Sequence, residues 1–224
     1  MTGLGWLTRV LAEVPEDDAW LSEREREILS TLRSEKRHSD WRLGRWTAKA
    51  AVATWKKVPP PAVELLAAED GAPEAFIDGG ETPVALSLSH RGGRALVTVS
   101  DAPAALGCDL EVLEARSPAF VSEWLGADER ELVSSLTGDH RDLAANLVWT
   151  GKEAASKARR EGLRLNIRQA TVELGPLTDP GGWERFRVAW QDGVVELGWW
   201  RRDSGWVMAI VSDLADELPP VELH

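Results

Sequence analysis

The chain has 224 residues, of which 43% are hydrophobic, and a formal net charge of −11. This length can bury a substantial core as one large domain or two small ones, and the negative charge argues against general nucleic-acid binding. The single cysteine excludes an internal disulfide, and no signal-type segment or apolar run near the ~20 residues of a membrane span is present. We therefore expect a cytoplasmic protein with no membrane partner.

Two helices are predicted in the N-terminal part. Residues 16–37 carry a charged amphipathic pattern, in which Ser22 can cap a helix and Glu25 follows three residues later. Residues 40–56 predict a second helix, which the prolines after it would end. Residues 68–83, rich in glycine, proline and acids, predict a loop.

The second of these helices lies in a basic region. Residues 33–57 contain eight basic side chains and two acidic ones. Arg42, Arg45 and Lys49 are spaced so that they line one helical face. Such a face is either solvated, as most charge runs are, or a contact for an anionic ligand with several phosphates.

A β-hairpin is predicted next. Residues 84–89 and 95–100 alternate in strand fashion around a Gly-Gly turn. His90 stands at the end of the first strand, between Ser89 and Arg91. A histidine there serves either as a turn residue with a local hydrogen bond or as a phosphate ligand.

Two carboxylates are predicted on one face of the following strand. Asp109 and Glu111 are two residues apart, so they project together, while Cys108 and Leu110 face the other way, toward a core. The repulsion between the two acids can be relieved by solvent, by a basic partner or by a hard divalent cation.

A helix over residues 146–161 carries the next charged group. Glu153 and Lys157 are four residues apart and share one side of this helix, with Lys152 beside them. Trp149 lies on the same stripe and is expected to anchor it in the core. The alternative without a functional role is a solvated Glu–Lys pair on the protein surface.

The remaining pattern predicts an α+β fold. A helix is expected at residues 127–136, and strands are expected at 170–174, 186–191, 194–200 and 207–211. The hairpin of residues 84–101 also resembles residues 195–213, which is the trace that two similar halves would leave. The pattern is one of antiparallel hairpins and not of a β–α–β series.

These motifs together resemble a known family. Ser-His-x-Gly at residues 89–92, Gly-x-Asp-x-Glu at 107–111 and Trp-Thr-x-Lys-Glu-Ala-x-x-Lys at 149–157 are similar in order and spacing to the 4′-phosphopantetheinyl transferases of the single-chain, surfactin-synthetase-activating type. The Gly-Arg helix of residues 41–49 resembles a further element of that family. The resemblance covers most of the chain.

The resemblance implies an architecture. It implies an α+β fold of two similar subdomains related by a pseudo-twofold axis, each a mainly antiparallel sheet with packed helices. We place an N-terminal subdomain at residues 1–106, with the basic helix and the Ser-His strand on the coenzyme A side. A C-terminal subdomain at residues 107–224 would carry the carboxylates. A monomer is expected.

The resemblance also implies an activity. The enzyme would transfer 4′-phosphopantetheine from coenzyme A to a serine of an acyl or peptidyl carrier protein, releasing adenosine 3′,5′-bisphosphate. Asp109, Glu111 and Glu153 would hold Mg²⁺, for which Mn²⁺ could substitute. Glu153 would accept the serine proton, while Lys157 and Lys152 would offset charge on the phosphates and Lys157 could protonate the leaving group.

Coenzyme A contacts are implied mainly in the N-terminal half. The expected contacts are Ser89, His90, Arg45, Lys49, one of Lys36 or Arg37, and Lys152. The chain departs from the family at Ala72, where a lysine or arginine is common, and Arg91 is placed to replace it in part.

Two other functions fit the same residues. A coenzyme A or carrier-protein binding module would bind without turnover, and a metal-dependent phosphodiesterase would hydrolyse coenzyme A without a carrier. For the carrier itself, the basic segment 146–168, with Arg159 and Arg160, and the nearby Leu125 form a candidate docking surface.

Overall fold

A computed structural model describes residues 3–101, 104–161, 166–177, 181–215 and 219–224. The chain divides into two compact units, Met1–Ala104 with Pro220–His224 and Ala105–Pro219. Among the described residues, none of the helices has the length and apolarity that a membrane crossing requires.

Five helices and twelve strands make up the described chain. In order they are β1 (Gly5–Val10), α1 (Glu23–Thr31), α2 (Glu35–Lys56), β2 (Val63–Ala67), β3 (Pro73–Ile77), β4 (Gly80–Glu81), β5 (Val84–Arg91), β6 (Arg94–Asp101), β7 (Leu106–Val112), α3 (Pro118–Trp124), α4 (Ala127–Ser135), α5 (Gly138–Arg159), β8 (Ala170–Leu174), β9 (Glu184–Trp190), β10 (Val195–Asp203), β11 (Trp206–Ser212) and β12 (Val221–Glu222). The predicted α+β class is confirmed.

The first unit is built around α2. Its main sheet has the order β12-β1-β6-β5, in which only β12 runs parallel to its neighbour. A second antiparallel sheet has the order β2-β3-β4. The middle of α2, including Ala48, Ala51 and Val52, is buried against β1, β5 and β6.

Two predictions for this unit were wrong. The helix expected over residues 16–37 is interrupted at Leu32, which is extended, and a new helix starts where the Ser34 side chain accepts a hydrogen bond from the backbone N–H of Arg37. The expected loop at 68–83 contains β3 and β4, joined by a tight turn in which Asp78 has a positive φ of 50°. The Gly- and Pro-rich composition thus marked a short hairpin.

The second unit is one antiparallel sheet covered by α5. The strand order is β7-β11-β10-β9-β8. The core joins Leu147, Val148 and Ala154 of α5 to Val188 and Val207 of the sheet. The next helix back along the chain, α4, packs on α5.

The order of elements is similar in the two units. Each has a first strand, a nine-residue helix, a 22-residue helix and then a run of strands that ends in a hairpin, β5–β6 in the first unit and β10–β11 in the second. Both long helices end at a basic residue in the left-handed conformation, Lys57 and Arg160. The pseudo-twofold relation stays a prediction.

Candidate active site

The predicted acidic strand lies directly under α5. Gly107, Asp109 and Glu111 alternate along β7, and a Cβ added at Gly107 would overlap the carbonyl oxygen of Ala154 and the backbone nitrogen of Ala158. Glycine at this position lets the helix approach the strand at backbone distance. The side chains that follow Gly107 on this face therefore meet the polar residues of α5.

Asp109 and Lys157 form one ion pair of the site. Asp109 is buried, and Lys157 Nζ lies 2.7 Å from its Oδ1 and donates a second hydrogen bond to the carbonyl oxygen of Cys108 at 3.1 Å. Burial, the largest single effect, lowers the pKa of the Lys157 ammonium, but the charge and hydrogen bond of Asp109 together with the charges of Cys108 and Glu153 outweigh it, so this pKa is raised overall. Lys157 is therefore a cation that reaches from α5 to the strand.

Glu153 lies among these charges. Burial raises the pKa of its carboxyl above the ordinary value, Asp109 and Glu111 raise it further, and Lys157 opposes them. The three carboxylates predicted from the sequence thus interact with one another in the second unit. A raised pKa is what a carboxylate needs to take a proton efficiently near neutral pH.

Glu111 is held by two donors that the sequence did not reveal. Trp149 Nε1 donates to Glu111 Oε1 at 3.0 Å, and Arg116 Nη2 donates to Glu111 Oε2 at 3.1 Å. Trp149 was expected to be only a core anchor. Arg116, in the segment that follows β7, was not identified at all.

The side chains of Asp109, Glu111 and Glu153 are chemically suitable ligands for a hard divalent cation. Mg²⁺ prefers oxygen ligands, and carboxylates supply them. In the described parts of the chain no three His, Cys, Asp or Glu side chains already converge on one ion position. Asp109 and Glu111 nonetheless both influence the pKa of Glu153, and the carboxylate oxygens of the three residues are the ligand type that such an ion takes.

Lys152 points into the core, which differs from its expected role at the phosphates. Its side chain is fully buried, with Nζ 2.6 Å from Glu129 of α4 and 3.1 Å from the carbonyl oxygen of Trp124. Glu129 also accepts hydrogen bonds from the backbone N–H groups of Gly126 and Val172. Burial lowers the pKa of Lys152, although Glu129 opposes this effect.

Two of the expected coenzyme A contacts in the first unit are also engaged internally. Lys49 is fully buried, with Nζ 2.7 Å from Glu25 of α1. Arg45 donates to the carbonyl oxygen of Leu65 at 2.8 Å, and its guanidinium lies 4.6 Å from the centre of the Trp41 ring. Burial lowers the pKa of Arg45, against the influence of Glu25. Neither side chain forms an open basic face.

The other expected contacts of the first unit lie nearer its surface. His90 is exposed at the end of β5, where it pairs across the hairpin with Ala95. Ser89 is buried beside it. Arg37 is exposed in the first turn of α2, as is Lys36, which is paired with Asp40.

The candidate docking surface is only partly available. Arg159 lies 4.9 Å from the centre of the Trp190 ring and pairs with Glu161 and Asp192, both within 2.8 Å. Leu125 is buried. Arg160 is exposed, and residues 162–165 of the expected surface lie outside the described residues.

Comparison with known proteins finds one matching family model. The sequence model of the 4′-phosphopantetheinyl transferase superfamily matches residues 105–211. A holo-(acyl-carrier-protein) synthase from Bacillus anthracis, solved in complex with CoA (3′,5′-ADP), is 24% identical, with 44% of this chain and 93% of that one covered at a TM-score of 0.38.

A second solved structure is similar over the same share of this chain. Helicobacter pylori holo-[acyl-carrier-protein] synthase, in complex with coenzyme A, is 15% identical, and the similarity covers 44% of this chain and 99% of that one at a TM-score of 0.30. No curated protein matches the chain.

Proposed function

Because residues 105–211 match the model of the 4′-phosphopantetheinyl transferase superfamily, we propose that the chain transfers 4′-phosphopantetheine from coenzyme A to a serine hydroxyl of an acyl or peptidyl carrier protein. Adenosine 3′,5′-bisphosphate is the second product. The subtype is the single-chain, surfactin-synthetase-activating type, acting as a cytoplasmic monomer.

One observation carries this proposal. The segment that matches the family contains Asp109, Glu111, Glu153 and Lys157, and these four side chains form a single electrostatic cluster between β7 and α5. A surface Glu–Lys pair would be solvated, whereas here Glu153 is half-buried, and burial and two further carboxylates raise its pKa. Clustered like charges of this kind are typical of functional sites.

The reaction joins the serine oxygen to the phosphorus that carries pantetheine and breaks the bond from that phosphorus to the bridging oxygen of the pyrophosphate. Such a transfer needs charge neutralisation and positioning more than a covalent intermediate. Asp109, Glu111 and Glu153 would hold Mg²⁺, which supplies positive charge to the pyrophosphate oxygens. Mn²⁺ could replace it.

Glu153 and Lys157 carry the protons. Glu153 accepts the proton of the serine hydroxyl as the general base. Lys157, held at Asp109, stays protonated and can give a proton to the leaving phosphate. Lys152 is left out of this chemistry, because its ammonium is already committed to Glu129 in the core.

The first unit supplies the expected coenzyme A contacts that remain. His90, Ser89 and the basic start of α2, with Lys36 and Arg37, are the candidates for the adenosine-side phosphates. Arg45 and Lys49 are assigned to the core of this unit instead, because each already has a buried acceptor.

The test is intact-mass spectrometry of an unmodified acyl carrier protein and an unmodified peptidyl carrier protein. Each is incubated with the enzyme, coenzyme A and Mg²⁺, and the nucleotide product is followed by chromatography. A gain of one phosphopantetheine, lost with Glu153→Gln or with a chelator and kept with the exposed-residue control Glu123→Gln, supports the proposal.

The remaining outcomes identify the alternatives. Coenzyme A bound without any gain of mass on either carrier would indicate a binding module. Loss of coenzyme A in the absence of a carrier would indicate a phosphodiesterase.

A further inference from the structure

Both carboxylate oxygens of Glu111 are occupied by side chains from different elements. Trp149, on α5, bonds Oε1 at 3.0 Å, and Arg116, between β7 and α3, bonds Oε2 at 3.1 Å. The Glu111 side chain is only 14% exposed. The carboxylate therefore has one orientation, defined at both oxygens.

Arg116 is itself held in place. Its Nε donates to Asn146 Oδ1 at 2.7 Å, and its guanidinium lies 4.8 Å from the centre of the Phe120 ring. Asn146 cannot turn freely, since its amide nitrogen donates to the carbonyl oxygens of Glu114 and Asp142, each at 2.7 Å. The Arg116 guanidinium is thus held in position by Asn146 and Phe120 as well as by Glu111.

Trp149 is fixed in the same way. Its ring meets Phe120 edge to face at a centroid distance of 5.3 Å and meets Trp124 at 5.3 Å. Both partners lie on α3. Packing on two rings leaves the indole N–H pointing in one direction.

We propose that Trp149 and Arg116 are positioning residues that aim the Glu111 carboxylate at a bound divalent cation. This inference rests on the proposed function, in which Glu111 is a metal ligand. Each carboxylate oxygen has two lone pairs, so a hydrogen bond to an oxygen of Glu111 does not in itself prevent that oxygen from coordinating a cation. Donors that fix a ligand in this way typically contribute 10- to 100-fold to metal affinity.

The neighbouring acid shows the contrast. Asp109 pairs with Lys157, whose side chain is 31% exposed and pairs with this one carboxylate, whereas Arg116 is 10% exposed and donates to Glu111, Glu114 and Asn146. Of the two cations, Arg116 is therefore the one held by more side chains.

The experiment measures Mn²⁺ affinity of the coenzyme A-free protein by electron paramagnetic resonance of the free ion, together with Tm. We expect Trp149→Phe, which keeps an aromatic ring and removes the N–H, to weaken Mn²⁺ binding by about 10-fold. Trp124→Phe, in the same ring cluster, should leave the affinity within about twofold of wild type. In a Glu111→Gln background, Trp149→Phe should have no further effect.

A second pair of variants tests Arg116 independently of the ring cluster. Arg116→Gln should weaken Mn²⁺ binding, while Arg141→Gln removes one positive charge from the same unit without touching Glu111 and should not. Tighter binding by Arg116→Gln would mean that the arginine competes with the cation, which overturns the proposal.

Different results would overturn the positioning role and the metal site. Glu111-dependent Mn²⁺ binding that is equal in wild type, Trp149→Phe and Arg116→Gln overturns the positioning role alone. Binding that is absent from wild type, or unchanged in Glu111→Gln, overturns the metal site and the positioning role together.

Discussion

Lys49 and Lys152 occupy the same position in their respective units. Each is the fifteenth residue of a 22-residue helix, α2 or α5, and each is fully buried against a glutamate at 2.6–2.7 Å. The two glutamates, Glu25 and Glu129, are in turn each the third residue of a nine-residue helix.

The glutamates make matching contacts as well. Glu25 accepts from the backbone N–H groups of Ser22 and Leu65, and Glu129 accepts from those of Gly126 and Val172. Each buried carboxylate therefore joins the start of a short helix, a long helix and the following strand. We conclude that this ion pair is a structural feature that occurs once in each unit.

The helices differ where the chemistry is expected. Both contain Trp-Thr-x-Lys, at residues 46–49 and 149–152. At the positions of Glu153 and Lys157, α2 has Ala50 and Thr54. The shared lysine is thus present in α2 without the two residues proposed to be catalytic in α5, which supports a role for this lysine in the core.

Lys152→Met should therefore destabilise the protein about as much as Lys49→Met does. Each change leaves a buried carboxylate without its cation, which typically costs about 3–5 kcal/mol. Urea unfolding of the two variants measures the effect. The double variant Lys152→Met/Glu129→Gln also removes the unpaired carboxylate charge. It should therefore recover part of the lost free energy of unfolding, together with transfer activity.

The opposite pattern would assign Lys152 to the substrate. In that case Lys152→Met would abolish transfer at nearly unchanged stability, and the double variant would remain inactive.

Glu153→Gln should stabilise the metal-free protein in a pH-dependent way. Burial and Asp109 raise the pKa of Glu153 above its unfolded value, so the folded state holds this proton to higher pH than the unfolded chain does. The contribution of Glu153 to stability is fully present below the unfolded pKa and is lost as pH rises through the folded pKa. Glutamine does not titrate, so Glu153→Gln does not show this loss of stability.

The measurement is Tm in the presence of a chelator, from about pH 5 to about pH 8. The Tm advantage of Glu153→Gln over wild type should grow across this range. Glu123→Gln, at an exposed position of α3, serves as the control and should show no such trend. A constant difference between Glu153→Gln and wild type would contradict the expected linkage.

The acidic face of the site could be predicted because it depends on local geometry. The spacing of Asp109 and Glu111 defines one face of a strand, and that of Glu153 and Lys157 defines one side of a helix. Their meeting was implied only by the resemblance. The structure adds the physical reason, which is the close approach of α5 at Gly107.

The partners of these residues could not be predicted because they depend on tertiary contacts. Arg116 reaches Glu111 through the turn that follows β7, and no periodicity indicates where that turn leads. The burial of Lys49 and Lys152 was missed for the same reason, since their partners lie in a different helix. The repeated Trp-Thr-x-Lys was the available signal for their shared role.

The pairing of β12 was missed because it is short and distant in sequence. Val221 and Glu222 return to the first unit and pair in parallel with Gly5 and Trp6. Two residues carry no readable strand pattern.

His90→Ala should raise the KM for coenzyme A by about 10-fold with little change in Tm. His90 is exposed at the end of β5, and a charge-assisted contact with a phosphate is worth roughly 1.5–3 kcal/mol. Steady-state kinetics at saturating carrier protein measure this effect. His140→Ala, also exposed but on α5, is the matched control, and an unchanged KM in His90→Ala would remove this residue from the coenzyme A site.

Gly107→Ala should disrupt the site through the backbone. The added methyl would overlap the backbone of Ala154 and Ala158, neither of which can move away as a flexible side-chain tip could, so α5 has to shift from β7. Overpacking of this kind typically costs about 1–3 kcal/mol, and the shift separates Lys157 from Asp109.

We therefore expect Gly107→Ala to lower both Tm and the rate of transfer. Gly175→Ala is the control, because its added Cβ meets no atom within 4 Å and its backbone needs no positive φ. Differential scanning calorimetry and the carrier-modification assay measure the two effects. A Gly107→Ala variant as stable and active as Gly175→Ala would show that the approach of α5 to β7 is not what assembles the site.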